Sequence, residues 1–334
     1  MIITAHAYSR AALVGNPSDG YFGKTISFII RNFKATVRLW ESPHFEILPD
    51  RGDLARFDSV GAFLRDQRLN GYYGGMRLIK ATLKKFHDHC HKQGRDLDDR
   101  SFTVGFETDI PRLVGLSGSS AIITAMFRAL MQFYGVEIPL HLLPTLTLSV
   151  EKEELGISAG YQDRVVQAYE GIVYMDFERT HLEEFGYGIY EPLQPATLPP
   201  LYVAYDPERA DVSDVPHRNL RELFNRGEPT VVGAIQKLRN LTDLGRAALM
   251  AGDFDALGRV MNENFDLRRT FMAMAPENLR MVEAARSTGA SAKFTGSGGA
   301  ICGLYKDGRQ YQQLTDSLAA LRCTVVRPII FADE

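Results

Sequence analysis

Only three cysteines occur in the 334 residues, Cys90, Cys302 and Cys323, and they lie far apart. No C-x-x-C pair exists, which excludes a thiolate zinc site and a disulfide framework. Each thiol is expected to be a small buried hydrophobe. No apolar run approaches the roughly 18 residues that a membrane span needs. An excess of one sign of charge is also lacking: the formal net charge is -3, so no broad electropositive face for nucleic acid or anionic lipid is expected. Met1 is followed by Ile-Ile-Thr-Ala-His, not by a basic stretch and a long apolar run. A cytoplasmic protein with reduced thiols and no secretory leader is therefore the expectation. Internal repeats and low-complexity tracts are missing as well.

What is present is an ordinary globular composition, 45% hydrophobic and 24% charged. It suffices for a large core without a metal or disulfide staple. The length suggests about two domains. Apolar or β-rich runs at 2–8 and 25–30 flank the turn-rich Gly15-Asn16-Pro17-Ser18-Asp19-Gly20, which reads as strand, long loop, strand. Further strands are expected at 34–40, 44–48, 101–107 and 171–177. Helical spacing predicts helices over 72–91, 121–134 and 140–154. The proline-rich 191–200 is a plausible joint between an N-terminal unit, 1–190, and a C-terminal unit, 191–334. Beyond it the pattern predicts strands at 201–205, 300–305 and 323–330 and helices at 229–251, 253–272, 276–288 and 308–321. The fold class expected is α+β with two lobes.

The strongest chemical signal is Pro111-Arg112-Leu113-Val114-Gly115-Leu116-Ser117-Gly118-Ser119-Ser120-Ala121, between a strand and a helix. Glycines let backbone approach a ligand. The free N–H groups and dipole of the helix start favour an anion. Serine hydroxyls there can meet Mg²⁺ or phosphate oxygens. A serine N-cap after a flexible turn is the plainer alternative. The loop is neither Walker A nor G-x-G-x-x-G. A second glycine loop, Lys293-Phe294-Thr295-Gly296-Ser297-Gly298-Gly299-Ala300, would by itself be a turn. One such loop in each lobe instead suggests a ligand cleft between them. Glu151, Glu153 and Glu154 crowd a helix end whose dipole they oppose. Asp163 stands in a polar turn before Val165 and Val166, where it could merely cap a helix. Phosphoryl transfer needs a metal carboxylate and a carboxylate near the attacking hydroxyl, and this segment can supply both.

Together, in this order, the Arg10–Tyr21, Pro111–Ala121 and Lys293–Ala300 segments resemble the three motifs of the GHMP kinase superfamily, whose phosphate loop usually reads P-x-x-x-G-L-G/S-S-S-A. The segments Gly15–Lys24, Gly71–Gly75 and Gly160–Gln167 are most similar to the glucuronokinase branch. The resemblance implies a ribosomal-protein-S5-like N-terminal lobe and a ferredoxin-like C-terminal lobe. It implies ATP and Mg²⁺ as cofactors and a sugar hydroxyl as acceptor. By position, Gly115, Leu116, Ser117, Gly118, Ser119 and Ser120 would cradle phosphates, and Gly296, Gly298 and Gly299 would close over them. Ser120 and Glu151 would hold Mg²⁺. Asp163 would take or orient the acceptor proton, with Arg10 beside it. Asp19 would bind sugar hydroxyls, and Lys24 could reach phosphate or substrate. Three departures stand out: Arg10 replaces a common lysine, Gly118 is an additional glycine, and one extra residue separates Gly156 from Asp163.

A uronic acid would need an arginine for its carboxylate. The candidates are Arg10, Arg164, Arg218 and Arg221, and Arg218 is preferred. The resulting expectation is a kinase acting on the anomeric hydroxyl of glucuronate or a related uronic acid. It would work as a monomer or homodimer, without nucleic acid or membrane partners. A kinase for galactose or a heptose, a non-catalytic sensor and an ATP-dependent decarboxylase remain open alternatives. Trp40, Tyr72 and Tyr73 could line a nucleotide pocket, although core packing is the better account of them.

Overall fold

The computed structural model describes residues 2–49, 74–208 and 214–332, with residues 214–219 described by backbone only. Strand β1 (Ile2–Val14) alternates buried with exposed or half-buried residues as far as Ser9 and is then buried throughout from Arg10 to Val14. A strand covered on one face alternates, whereas one covered on both does not. The change therefore marks where the second lobe begins to cover β1.

Strand β2 (Lys24–Glu41) is 18 residues long. It pairs antiparallel with β1, with β4 (Phe102–Thr108) and with β5 (Ile172–Asp176). The two strands expected at 25–30 and 34–40 are thus one. A register shift at Tyr8/Ser9 keeps the ladder going past polar Arg31 and Asn32. Those two residues bind the C-terminal segment instead. Arg31 N–H donates to the Ile329 carbonyl (2.7 Å), and Asn32 Oδ1 accepts from Ile329 N–H (2.8 Å). The end of the chain is thereby tied to the first sheet.

The first sheet runs β3 (Glu46–Leu48), β4, β2, β5, β6 (Ile189–Leu193), with β1 added on β2. Strand β6 overlaps the stretch read as an irregular joint. Pro192 is tolerated because β6 lies at the edge, where a missing N–H costs no ladder bond. Helices α1 (Gly75–Lys92) and α2 (Gly118–Tyr134) pack together over this sheet. Ala121, Ile123, Ala125, Met126, Phe127 and Leu130 bury α2 on several sides, which fixes its N-terminus. Helices α3 (Leu143–Ser149), α4 (Gln162–Tyr169) and α5 (Arg179–Phe185) complete the lobe.

The second sheet uses β7 (Leu201–Tyr205), β8 (Lys293–Phe294), β9 (Ala300–Leu304) and β10 (Thr324–Val326), in the order β10-β7-β9-β8. All its pairings are antiparallel, which is the ferredoxin-like arrangement. Between β7 and β8 lie α6 (Asp214–Asn225), α7 (Pro229–Ala251), α8 (Phe254–Arg269) and α9 (Pro276–Ser287). Helix α10 (Gly308–Ala319) precedes β10. The lobes are stitched at Ala12: its N–H donates to the Thr295 carbonyl (2.9 Å), and its carbonyl accepts from Lys293 Nζ (2.7 Å). Among the described residues no helix is long and apolar enough to cross a membrane.

Candidate active site

The loop entering α2 is bent by backbone that few side chains adopt. Leu113, Gly115 and Ser117 have φ of 57°, 71° and 62°. Non-glycine residues at positive φ are uncommon and concentrate where a ligand is gripped. Ser117 is the N-cap of α2 but uses no side-chain cap bond. Among the described residues the amides of Ser117, Gly118 and Ser119 donate to no acceptor. The first turn of a helix cannot satisfy its own donors, so these amides and the dipole form a ready anion site. Gly115 is required for a different reason. A Cβ there would lie 2.5 Å from the Gly298 carbonyl oxygen, because the second glycine loop rests on the first.

Around this loop runs a closed set of charges. Arg10 donates from Nε to Asp163 Oδ1 (2.5 Å) and from Nη1 to the Gly115 and Thr295 carbonyls (2.9 Å each), joining both glycine loops to one carboxylate. Ser117 Oγ donates to Asp163 Oδ2 (2.7 Å), and Arg164 Nη1 lies 3.1 Å from the same oxygen. Burial alone would raise the Asp163 carboxyl, but the charges of Arg10 and Arg164 and the bonds from Arg10 and Ser117 hold it well below the usual carboxylate range. Arg164 also donates to Glu151 Oε2 from Nε (2.6 Å) and from Nη2. Glu151 is fully buried, in a π-helical turn (Val150–Glu154) that continues α3 and aims it inward. Its other oxygen, Oε1, accepts from Ser119 Oγ (3.0 Å).

The opposite end of the site is built on the turn Ser18–Tyr21 between β1 and β2. Asp19 is buried and accepts from Gln162 N–H (3.2 Å). Gly160 lies so close that a Cβ there would be 2.1 Å from Asp19 Oδ2. Burial, with the Asp163 charge nearby, pushes the Asp19 carboxyl up to about 6. Arg221 of α6 stacks over Tyr21 (4.3 Å from guanidinium carbon to ring centroid), and Phe224 meets the Tyr21 ring edge-on at 5.1 Å. All three regions open on one cleft of about 410 Å³. Its further wall, from Phe106, Thr108, Ile110, Pro111 and Ile122, is mostly apolar.

The structure thus brings Arg10, Asp19, Gly115, Leu116, Ser117, Gly118, Ser119, Glu151, Asp163 and Gly296 to one cleft. It departs from the expectations at Ser120, at Lys24 and at two glycines of the second loop. Ser120 is fully buried and its hydroxyl turns back to the Ser117 carbonyl (3.2 Å), because the start of α2 points it at the helix rather than the cavity; Ser119 is the hydroxyl beside Glu151. Lys24 is absent from the cleft wall: its ammonium is held by Asp243 (2.8 Å) and Asp176 (3.5 Å). Gly298 and Gly299 stand behind the wall, packed on Gly115 and Val114. The Arg218 side chain, with Tyr72 and Tyr73, lies outside the described residues. Trp40 sits on β2 away from the cleft.

Two features have no sign in the sequence. The residues of the apolar wall look like core, and Arg268, which donates to the Gly296 carbonyl (2.7 Å) and pins the second loop, looks like a surface arginine on a helix. Only the family pattern could have shown the pairing of Arg164 with Glu151, thirteen residues apart.

Models of two families match the chain: GHMP kinases N terminal domain at residues 77–171 and GHMP kinases C terminal at 246–321. Among curated proteins, Probable glucuronokinase 2 of Arabidopsis thaliana is 41% identical over 97% of this chain and 90% of its own length. Glucuronokinase 1 of the same plant is 39% identical over 99% and 92%. Among solved structures, Streptococcus pneumoniae phosphomevalonate kinase superposes with a TM-score of 0.75 at 17% identity, covering 99% of this chain and 100% of that one. Lactococcus lactis galactokinase gives 0.76 at 14% identity, covering 98% and 93%. With both domain models matched and relatives this similar along nearly the whole length, the chain belongs to the GHMP kinases.

Proposed function

We propose that the protein transfers the γ-phosphoryl group of ATP to the anomeric hydroxyl of glucuronate or a closely related uronic acid, giving the 1-phosphate. The carrying observation is the placement of free amides at the start of α2 beside two carboxylates, Glu151 and Asp163, in one cleft. The full-length similarity to two glucuronokinases supports the choice of sugar. The apolar wall beside Pro111 suits an adenine, and the amides of Ser117–Ser119 suit the phosphates.

Among the described residues no cluster of three or more His, Cys, Asp or Glu side chains could form an all-protein metal cage. Mg²⁺ does not need one, because it is usually bound by one or two carboxylates together with nucleotide phosphates. The Ser119 hydroxyl and Glu151 carboxylate fit that donor set and would hold the ion. When bound, it would neutralise charge on the β- and γ-phosphates.

Phosphoryl transfer passes through a loose transition state, so positioning and charge matter more than a strong base. Asp163, kept anionic by two arginines, orients the sugar hydroxyl and accepts its proton as the O–P bond forms and the bond to ADP breaks. Arg10 holds both glycine loops and this carboxylate in register. ADP release measured against a panel of free sugars and uronic acids tests the reading. Glucuronate should be the best substrate, and its product should lose the reducing end, as only phosphorylation at the anomeric oxygen requires. Preference for a neutral sugar, CO₂ release, or silence across the panel would each replace it with another reading.

A further inference from the structure

Of the cleft arginines, Arg10 and Arg164 are paired with Asp163 and Glu151, Arg77 is also partnered, and Arg112 belongs to the phosphate loop. Arg221 differs from the three partnered ones, Arg10, Arg77 and Arg164. It lines the cleft yet, among the described residues, its guanidinium has no hydrogen bond and no ion pair. It is nonetheless held in place. Its guanidinium carbon lies over the Tyr21 ring, and that ring is braced from α6 by Phe224. A stacked guanidinium keeps its N–H edges free for a planar, bidentate acceptor.

Position gives this cation a role. A Cβ on Gly20 would come within 3.2 Å of Arg221 Nη2, and Gly20 directly follows Asp19, whose carboxylate faces Gly160. The carboxylate and the cation therefore meet the same turn at neighbouring residues, and both line the cleft. An anionic sugar entering between Asp19, Glu151 and Asp163 meets three carboxylates. It needs a cation that is not already neutralised, and among the described residues lining this end of the cleft Arg221 is such a cation.

We infer that Arg221, stacked on Tyr21, is the specificity residue of the site and binds the carboxylate of the sugar acid. This rests on the uronate reading above. Phosphorylation kinetics with glucuronate and with its neutral amide, glucuronamide, test it. In Arg221→Met the ratio of kcat/KM for the acid over the amide should fall at least 20-fold, while KM for ATP stays within twofold. Arg221→Lys, which keeps charge but not the fork, should fall between wild type and Arg221→Met. The exposed position on a helix means the fold should survive, and an unchanged unfolding midpoint verifies that. An unaltered acid-to-amide ratio in Arg221→Met, with the wild type active on glucuronate, overturns the assignment of Arg221 alone. A wild type that turns over no uronic acid overturns this inference and the substrate reading together.

Discussion

In the half of the cleft proposed to hold phosphates, Arg10, Arg164, Asp163 and Glu151 form a closed set of ion pairs. In the half proposed to hold the sugar, Asp19 and Arg221 have no ion pair among the described residues. The triphosphate presents the same groups in every turnover, so a rigid, pre-satisfied frame suits it and costs no reorganisation during transfer. The acceptor sugar is what must be selected, and selection requires groups whose charge only the right substrate completes. The largest effect is expected at the phosphate end. Asp163→Asn should lower kcat at least a hundredfold while leaving ATP affinity nearly intact, measured by steady-state kinetics beside nucleotide binding. A near-normal rate would remove Asp163 from the chemistry and dissolve the contrast between the halves.

A second test addresses the frame. Arg164→Met leaves Glu151 fully buried and without its cation. Breaking a buried pair from one side costs about 3–5 kcal/mol, and urea unfolding should show a loss of that size. Next in size is the choice of hydroxyl. Ser119→Ala should reduce turnover about tenfold and raise the Mg²⁺ needed for half-maximal rate, since a hydrogen bond to a charged group is worth about 1.5–3 kcal/mol. Ser120→Ala removes only a bond to the Ser117 carbonyl; it should cost ~1 kcal/mol of stability and leave kcat within about twofold, because the hydroxyl does not face the cleft. Equal kinetic losses would restore Ser120 to the site.

The sugar half carries its own signature in pH. Asp19 faces Asp163, Arg10 and Arg164, with Arg268 further back; burial first and Asp163 second push its carboxyl to about 6. Because its proton is held more tightly in the folded state, its contribution to stability falls as pH rises from the ordinary carboxylate range through about 6. Activity should move the opposite way. If the carboxylate receives a sugar hydroxyl, kcat/KM for the sugar rises with pH through about 6, and Asp19→Asn lacks that limb. A limb that persists in the variant would assign it to another group.

Much of this is legible in the residues and their order. The phosphate loop, Glu151 and Asp163 stand out because glycine, serine and acid occur where local structure alone gives them little reason to be. The strand–helix alternation after residue 200 reveals the second lobe because its elements are bounded by turn formers. What stays hidden depends on three dimensions. A one-residue choice between Ser119 and Ser120 is decided by the angle at which α2 starts, which no spacing records. Glycine is ambiguous too: a Cβ at Gly118 would meet Ile110 at an ordinary 3.6 Å, whereas Gly298 and Gly299 let one loop rest on another. Strand β2 reads as two strands because Arg31 and Asn32 break its apolar run for the sake of the C-terminal segment. An arginine's usefulness depends on which neighbours already neutralise it, and so sequence does not separate Arg221 from Arg218, Arg164 or Arg10.

Lys24 gives the mildest test and bears on where the sugar half ends. It follows the Ser18–Tyr21 turn closely enough to suggest the site, but its side chain points to β5 and α7. Burial would lower its ammonium, yet hydrogen bonds to Asp243 and Tyr174 and the charge of Asp176 hold it above the ordinary lysine range. Lys24→Met should therefore leave KM for the sugar within about twofold and cost on the order of 1 kcal/mol of stability, because Asp243 is half exposed and the pair is screened. A cation whose folded pKa is raised contributes stability below its unfolded value of 10.5 and loses it as pH climbs beyond. The deficit of the variant should thus be constant from pH 6 to 9, roughly, and shrink in strong alkali. A tenfold rise in sugar KM instead would place the substrate on the far side of the turn, where Lys24 points, and would take the sugar carboxylate away from Arg221.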